Sequence, residues 1–204
     1  MAATKQATKN SITLKGSAEM VTEFFKYGIN SILYQRGIYP AETFTRESKY
    51  GLTVLVTTDE LLNTYLSGVL KQLRDWLLGK TVQKLVLVVT DIDTNEVLER
   101  WQFNIECDKT MTEDSKPRKA VEEDIIKGIK AVIRQITASV TFLPLLEGAT
   151  VFDLLIYTDR DAETPLEWEE SGPQLIPQGR EVRLRSFSTT IHKVDAMVAY
   201  KGDQ

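Results

Sequence analysis

The stretch from Val82 to Cys107 constrains the fold more than any other. Val82 to Val89 is β-branched and almost wholly apolar, Asp91-Ile92-Asp93-Thr94-Asn95 is made of turn formers, and Val97 to Cys107 alternates. That order predicts a β-hairpin. Side chains alternate with period two along a strand, so Val97, Glu99, Trp101, Phe103, Ile105 and Cys107 share one face, five of the six apolar.

Three segments with helical spacing surround the hairpin. In the first, Ser17 reads as the N-cap and Glu19 lies in the first turn, where the helix dipole favours a carboxylate. Met20, Val21, Phe24, Phe25, Ile29, Ile32 and Leu33 recur three to four residues apart until Gly37 and Pro40, which places a helix over about 17 to 36. After a short apolar run from Leu52 to Val56, Leu61 to Leu77 keeps the same spacing up to a cap at Gly79. The third follows a polar surface connection, Asp108 to Lys119, and its predicted buried face is Val121, Ile125, Ile129, Val132, Ile133, Ile136 and Val140. Val151 to Tyr157 predicts a strand, and Val182, Leu184 and Phe187 to Tyr200 two more, with a turn near Lys193 to Ala196. Single strands and a hairpin separate the helices, without regular βαβ units, so the fold class is α+β with an antiparallel-rich sheet.

Residues 159 to 180 break the pattern. They hold Pro165, Pro173, Pro177, Gly172 and Gly179, with six carboxylates between Asp159 and Glu170, in a connection far longer than the roughly 4–6 residues usual in compact domains. Such length points to function or mobility. Trp168 inside this polar loop needs something to pack on, so the loop should lie down on the body.

Chemistry is hard to find. Gly79-Lys80-Thr81 resembles the end of a phosphate-binding loop, but Arg74 stands where the first glycine belongs and the triplet follows a helix. Asp91 to Asn95 opens like a calcium loop, yet Glu96 and Gln102 occupy the positions of the required glycine and glutamate. His192 is the only histidine and Cys107 the only cysteine, which excludes histidine-based or cysteine-rich zinc sites and an internal disulfide. Cys107 reads as a small buried hydrophobe beside Trp101, Phe103 and Ile105. No catalytic residue, metal site or cofactor is predicted. A formal charge of −4 and a pI near 5.2 give no net positive field to draw nucleic acid or an anionic membrane, so neither is an expected partner. The polar start MAATKQATKNS lacks a signal peptide's apolar stretch, and residues 1–11 are expected to be disordered.

Several long strings resemble the HORMA family, in its spindle-checkpoint branch: GSAEMVTEFFKYGINSILYQRGIYPAETF, EVLERWQFNIECDK, IRQITASVTFLPLLE, FDLLIYTD, WEESGPQ and EVRLRSFSTTIHKVDAMVAYK. They span about Ile12 to Lys201 and are too irregular to arise from helix or strand periodicity. The resemblance implies a HORMA domain over residues 12–204, with three central helices on the sheet and a mobile safety belt over about 159–204. It further implies that a partner peptide adds as a strand beside Val151, Asp153, Leu154, Leu155, Ile156 and Tyr157. The belt would close over it, with Pro165, Trp168, Val182, Leu184, Phe187, Ile191 and Tyr200 in the moving region. Open and closed folded states, and an open-closed self-dimer through Arg134 and Gln135, are implied as well. The implied function is a spindle assembly checkpoint adaptor, not an enzyme, that sequesters the activator subunit of the anaphase-promoting complex to delay anaphase. A checkpoint scaffold protein at kinetochores and other checkpoint proteins would be further partners, and nucleus, kinetochore, cytoplasm and spindle its locations. Relatives serving DNA-damage-tolerant polymerases or meiotic axis assembly are the alternative; the strings favour the mitotic branch.

Overall fold

The computed structural model describes residues 10–202. The expected disordered N-terminus lies mostly outside that range, but Ser11 is ordered: β1 (Ser11–Ile12) pairs antiparallel with β6 (Arg118–Lys119). The connection before Lys119 is therefore partly built into the body, and its Met111 is buried.

Helix α1 (Leu14–Gln35) begins three residues before the predicted start. Thr13 is the cap, its side chain accepting from the Gly16 N–H at 3.0 Å, and no acidic residue stands in the first turn. Ser17 cannot cap because its hydroxyl points into the core, where polar partners await it. Phe24, Phe25, Ile29, Ile32 and Leu33 are fully buried, so α1 is the helix the others pack around. Helix α2 (Glu60–Leu78) is capped by Asp59, which accepts from the Leu62 N–H at 2.8 Å. Gly79 ends it in an ordinary right-handed conformation, and Lys80 takes the left-handed one, φ 58°. Helix α3 (Glu122–Ala138) opens on Glu122, Glu123 and Asp124, favourable at the positive end of its dipole. Ile125, Ile129, Val132, Ile133 and Ile136 are buried as predicted, but Val121 and Val140 are 40% and 45% exposed because both fall outside the helix.

The principal sheet has five strands: β4 (Val82–Asp91), β5 (Val97–Cys107), β7 (Thr150–Thr158), β8 (Arg180–Ser188) and β9 (His192–Tyr200). Their order is β7-β4-β5-β9-β8 and every pairing is antiparallel. The predicted hairpin forms its centre. Its turn is a simple one, with Asp91 Oδ1 accepting from the Asp93 and Thr94 N–H groups at 2.9 and 2.8 Å. The turn between the last two strands lies at Thr189–Ile191, not at Lys193–Ala196, which are inside β9; Thr190, φ 74°, makes the reversal. A second hairpin, β2 (Phe44–Lys49) with β3 (Leu52–Thr57), goes beyond the sequence reading, which marks only the apolar run from Leu52 to Val56. Its polar strand β2 carries no apolar alternation, while Tyr50 and Gly51, φ 55° and 69°, form the two-residue turn.

One buried ion pair ties these layers. Arg36, just past α1, donates to Glu99 of β5 through Nε at 2.8 Å and through a terminal nitrogen at 2.5 Å, and also to the Pro144 carbonyl. The second Glu99 oxygen accepts from Trp101 Nε1 at 3.1 Å. Removing one partner of such a pair strands the other without water, so Glu99→Ala should lower unfolding stability by about 3–5 kcal/mol in urea titration. Glu99→Ala unfolding at the wild-type midpoint would show the pair to be dispensable.

Candidate functional site

β7 is an edge strand, and no strand among the described residues pairs with its outer side. Alternate N–H and C=O groups along such an edge point away from the sheet and form a template for another chain. Leu154 faces the helices and is buried; Phe152 on the same face meets Tyr39 and Tyr65 edge-on at 6.1 and 6.0 Å. Leu155 and Tyr157 face the other way and pack with Val86 and Val88 of β4. Asp153 is exposed, and Val151, at 48%, marks the open end of the strand. The six residues expected to neighbour a peptide thus lie along this one strand.

The long connection after β7 hangs over this edge. Its start is fixed by Asp159, whose N–H donates to the Thr81 carbonyl at 2.7 Å and whose carboxylate accepts from Gln83 and Lys109 at 2.8 and 2.6 Å. Those bonds, Gln83 first, hold the Asp159 carboxyl below its usual range. Farther along, the Trp168 N–H donates to the Pro165 carbonyl, and the Trp168 ring meets Trp76 of α2 edge-on with centroids 5.1 Å apart. Trp76 Nε1 donates in turn to the Glu163 carbonyl at 3.0 Å. The expectation that Trp168 needs a packing partner is met by a residue 92 positions earlier in the chain. Beyond Trp168 the loop reaches the sheet's opposite face, where Arg100 Nε donates to the Pro173 carbonyl at 3.1 Å.

Between α2, β7 and this loop runs a groove of about 790 Å³. Tyr65, Val69, Leu154, Pro165 and Trp168 give it apolar walls, and Asp75, Asp153, Glu167, Glu169 and Glu170 line it, with Lys71 the one cation among the described residues. Such a groove suits an extended segment that is apolar and basic. Tyr65 and Trp76 were legible only as core positions of a helix; nothing in the local sequence marks Tyr65 as part of a groove or Trp76 as the anchor of the loop.

The remaining expected positions lie elsewhere. Val182 pairs with Val198, and Tyr200 with Glu99 and Arg180, at the far side of the sheet from β7. Leu184 is half-buried on the edge strand β8, while Phe187 and Ile191 are buried, Phe187 packing on Phe24 at 4.8 Å. Pro165 and Trp168 thus share the groove with β7, whereas the five later positions do not. On α3, Arg134 is exposed, but Gln135 is engaged: its Oε1 accepts from the Arg185 N–H and ties α3 to β8. Cys107 is half-buried and burial raises its thiol pKa, unlike a poised nucleophile. Among the described residues no group of histidine, cysteine, aspartate and glutamate could hold a metal ion, and no helix is long and apolar enough to cross a membrane.

Comparison with known proteins agrees with this geometry. The HORMA domain family model matches residues 17–192. The human mitotic spindle assembly checkpoint protein MAD2A is 66% identical over 190 residues, 93% of each chain. The mitotic spindle checkpoint component mad2 of Schizosaccharomyces pombe is 48% identical over 194 residues, 95% of this chain and 96% of that one. A chain in a crystal structure of a mitotic checkpoint complex superposes with a TM-score of 0.84 at 48% identity, covering 92% of this chain and 99% of its own.

Trp168→Ala should free the loop from α2 without disturbing the sheet. Limited proteolysis would then cut within residues 159–179 at least several-fold faster, with an unchanged melting temperature; an unchanged cutting rate would mean that the tryptophan pair does not hold the loop.

Proposed function

The chain belongs to the HORMA domain family, and from that premise we propose that it is a spindle assembly checkpoint adaptor that clasps partner peptides at the free edge of β7. It is a binding protein and not an enzyme. The groove carries this reading: an unpaired strand edge, apolar walls and an acidic rim converge where an extended peptide would add to the sheet. Main-chain hydrogen bonds to Leu154–Tyr157 would supply affinity, and the pockets beside Tyr65, Leu154 and Trp168 would select alternate side chains. Five carboxylates against one lysine in the lining favour a basic residue in the motif.

In this reading the partners are a checkpoint scaffold at unattached kinetochores and the activator subunit of the anaphase-promoting complex, with other checkpoint proteins joining the assembly. Sequestering the activator delays anaphase. The protein works in nucleus and cytoplasm, at kinetochores and on the spindle. The described arrangement, with the β8–β9 hairpin on the edge of β5 and the loop passing over the unpaired edge of β7, serves as the closed state. In the open state residues from about 159 onward are repositioned, so that the β8–β9 hairpin leaves the edge of β5 and a peptide can enter. Moving the β8–β9 hairpin breaks and remakes a strand ladder, so exchange is slow, and a peptide that binds one state shifts the population by its differential affinity.

Amide NMR with a short peptide bearing a basic residue, two apolar residues, a spacer and proline tests this directly. Resonances of β7 and of residues 159–200 should convert to one new, slowly exchanging set; a few surface signals shifting in fast exchange would sink the clasping function and leave the fold. The exposed Arg134, beside the helix face that meets β8, supports α3 as the self-association surface. Arg134→Ala should yield a folded monomer by light scattering, and persistent dimers would move the interface elsewhere.

A further inference from the structure

Helix α1 and the β8–β9 turn meet through three buried polar side chains that peptide binding at β7 does not use. Ser17, Thr189 and His192 are each at most 1% exposed. Ser17 Oγ lies 2.5 Å from Thr189 Oγ1 and 2.6 Å from His192 Nδ1. Thr189 Oγ1 lies 3.2 Å from the His192 carbonyl oxygen and accepts from the His192 N–H at 2.8 Å. One proton arrangement satisfies this chain: Nδ1–H donates to Ser17, the Ser17 hydroxyl to Thr189, and the Thr189 hydroxyl to the His192 carbonyl. The imidazole is then neutral, and its Nε2, buried without a hydrogen-bond partner among the described residues, carries only a lone pair.

Among the described residues no charge nearby favours a cationic imidazole. Cys107 stands opposite His192 on β5, and its thiol is held neutral by burial. Lys15 on α1, Asp75 on α2 and Lys193 on β9 are exposed, while Lys80, just past α2, is half-buried with its ammonium donating to the Lys109 and Met111 carbonyls. Asp108 and Arg118, beyond β5, bond to each other. Loss of water therefore dominates and lowers the His192 pKa to about 4, with the Leu77 carbonyl as a weak opposing influence.

We propose that Ser17, Thr189 and His192 form a proton-sensitive latch that fastens the β8–β9 hairpin to α1 and lets go when His192 takes up a proton. The proposal rests on the reading that this hairpin leaves its place when the belt opens. Docked His192 stays neutral down to about pH 4; once released into water it returns to an ordinary value of about 6.5. Docking is at full strength above pH 6.5 and weakens as pH falls from there toward 4, because the released form binds the extra proton. Between pH 7.5 and 5.5 the docked-to-released ratio should fall about tenfold.

His192 is the only histidine, so the full-length chain gives a single imidazole titration by NMR. In the same samples, amide exchange of β9, corrected for its intrinsic pH dependence, measures hairpin opening. The expected result is an imidazole midpoint well below 6.5 and opening about tenfold more frequent at pH 5.5 than at 7.5. His192→Asn keeps a donor near the Nδ1 position and cannot titrate, so its opening should not change with pH. Ser17→Ala should open the hairpin more often at both pH values while β4 amides keep their protection, which general destabilisation would not allow. A midpoint near 6.5, pH-independent opening in the unaltered chain, or pH dependence surviving in His192→Asn would overturn the latch. Peptide binding at pH 7.5 is scored separately: clasping with a pH-indifferent hairpin removes the latch alone, and a working latch without clasping removes the function alone.

Discussion

A sheet has two edges, and this structure depends on how differently they are treated. At one edge α3 lies against β8, with Gln135 accepting from the Arg185 backbone and Phe187 driven in beside α1. At the other edge β7 is only overhung: the loop is anchored on both sides of it, at Trp76 and at Arg100, and makes no strand with it among the described residues. Unpaired edges are a liability that soluble proteins usually blunt. A cover that shields without pairing leaves the backbone groups of β7 available to a guest.

The centre of the sheet is by contrast fixed from both directions. β4 is buried on both faces, as its run of Leu85 to Val89 requires, and β5 alternates against it. Arg36 and Glu99 then join the end of α1, the middle of the sheet and the approach to β7 in one desolvated contact. A buried pair of this kind adds little to stability over an apolar substitute, but it tolerates few alternative arrangements. The rigid frame is therefore α1, β4 and β5, and freedom is left to what lies outside it.

Much of this was legible in the sequence because it is local. The central hairpin, the three helices and the β7 strand follow from periodicity, and the 159–180 loop announced itself through prolines, carboxylates and a misplaced tryptophan. What failed was whatever the third dimension decides. Ser17 has the composition of a cap but turns inward to Thr189 and His192, which lie more than 170 residues away. The final turn settled at Thr189–Ile191 because its hydroxyl network and the pairing of His192 with Cys107 set the register. β2 escaped notice because its side chains face water and only a tight turn betrays it. In the site, Trp168 could be singled out, but neither its partner Trp76 nor the acidic rim could be assembled before distant segments were placed side by side.

The loop over β7 also has a topological meaning. It leaves the sheet at one edge and rejoins it at the other, and the hydrogen-bonded strands between complete a ring. A segment held between loop and strand passes through that ring like a thread through an eyelet. When the segment lies in the interior of a long protein with folded regions on both sides, it cannot be fed in by its end. Capture and escape then both require the ring to be cut open, and the only seams available are the ladders that bind the last two strands.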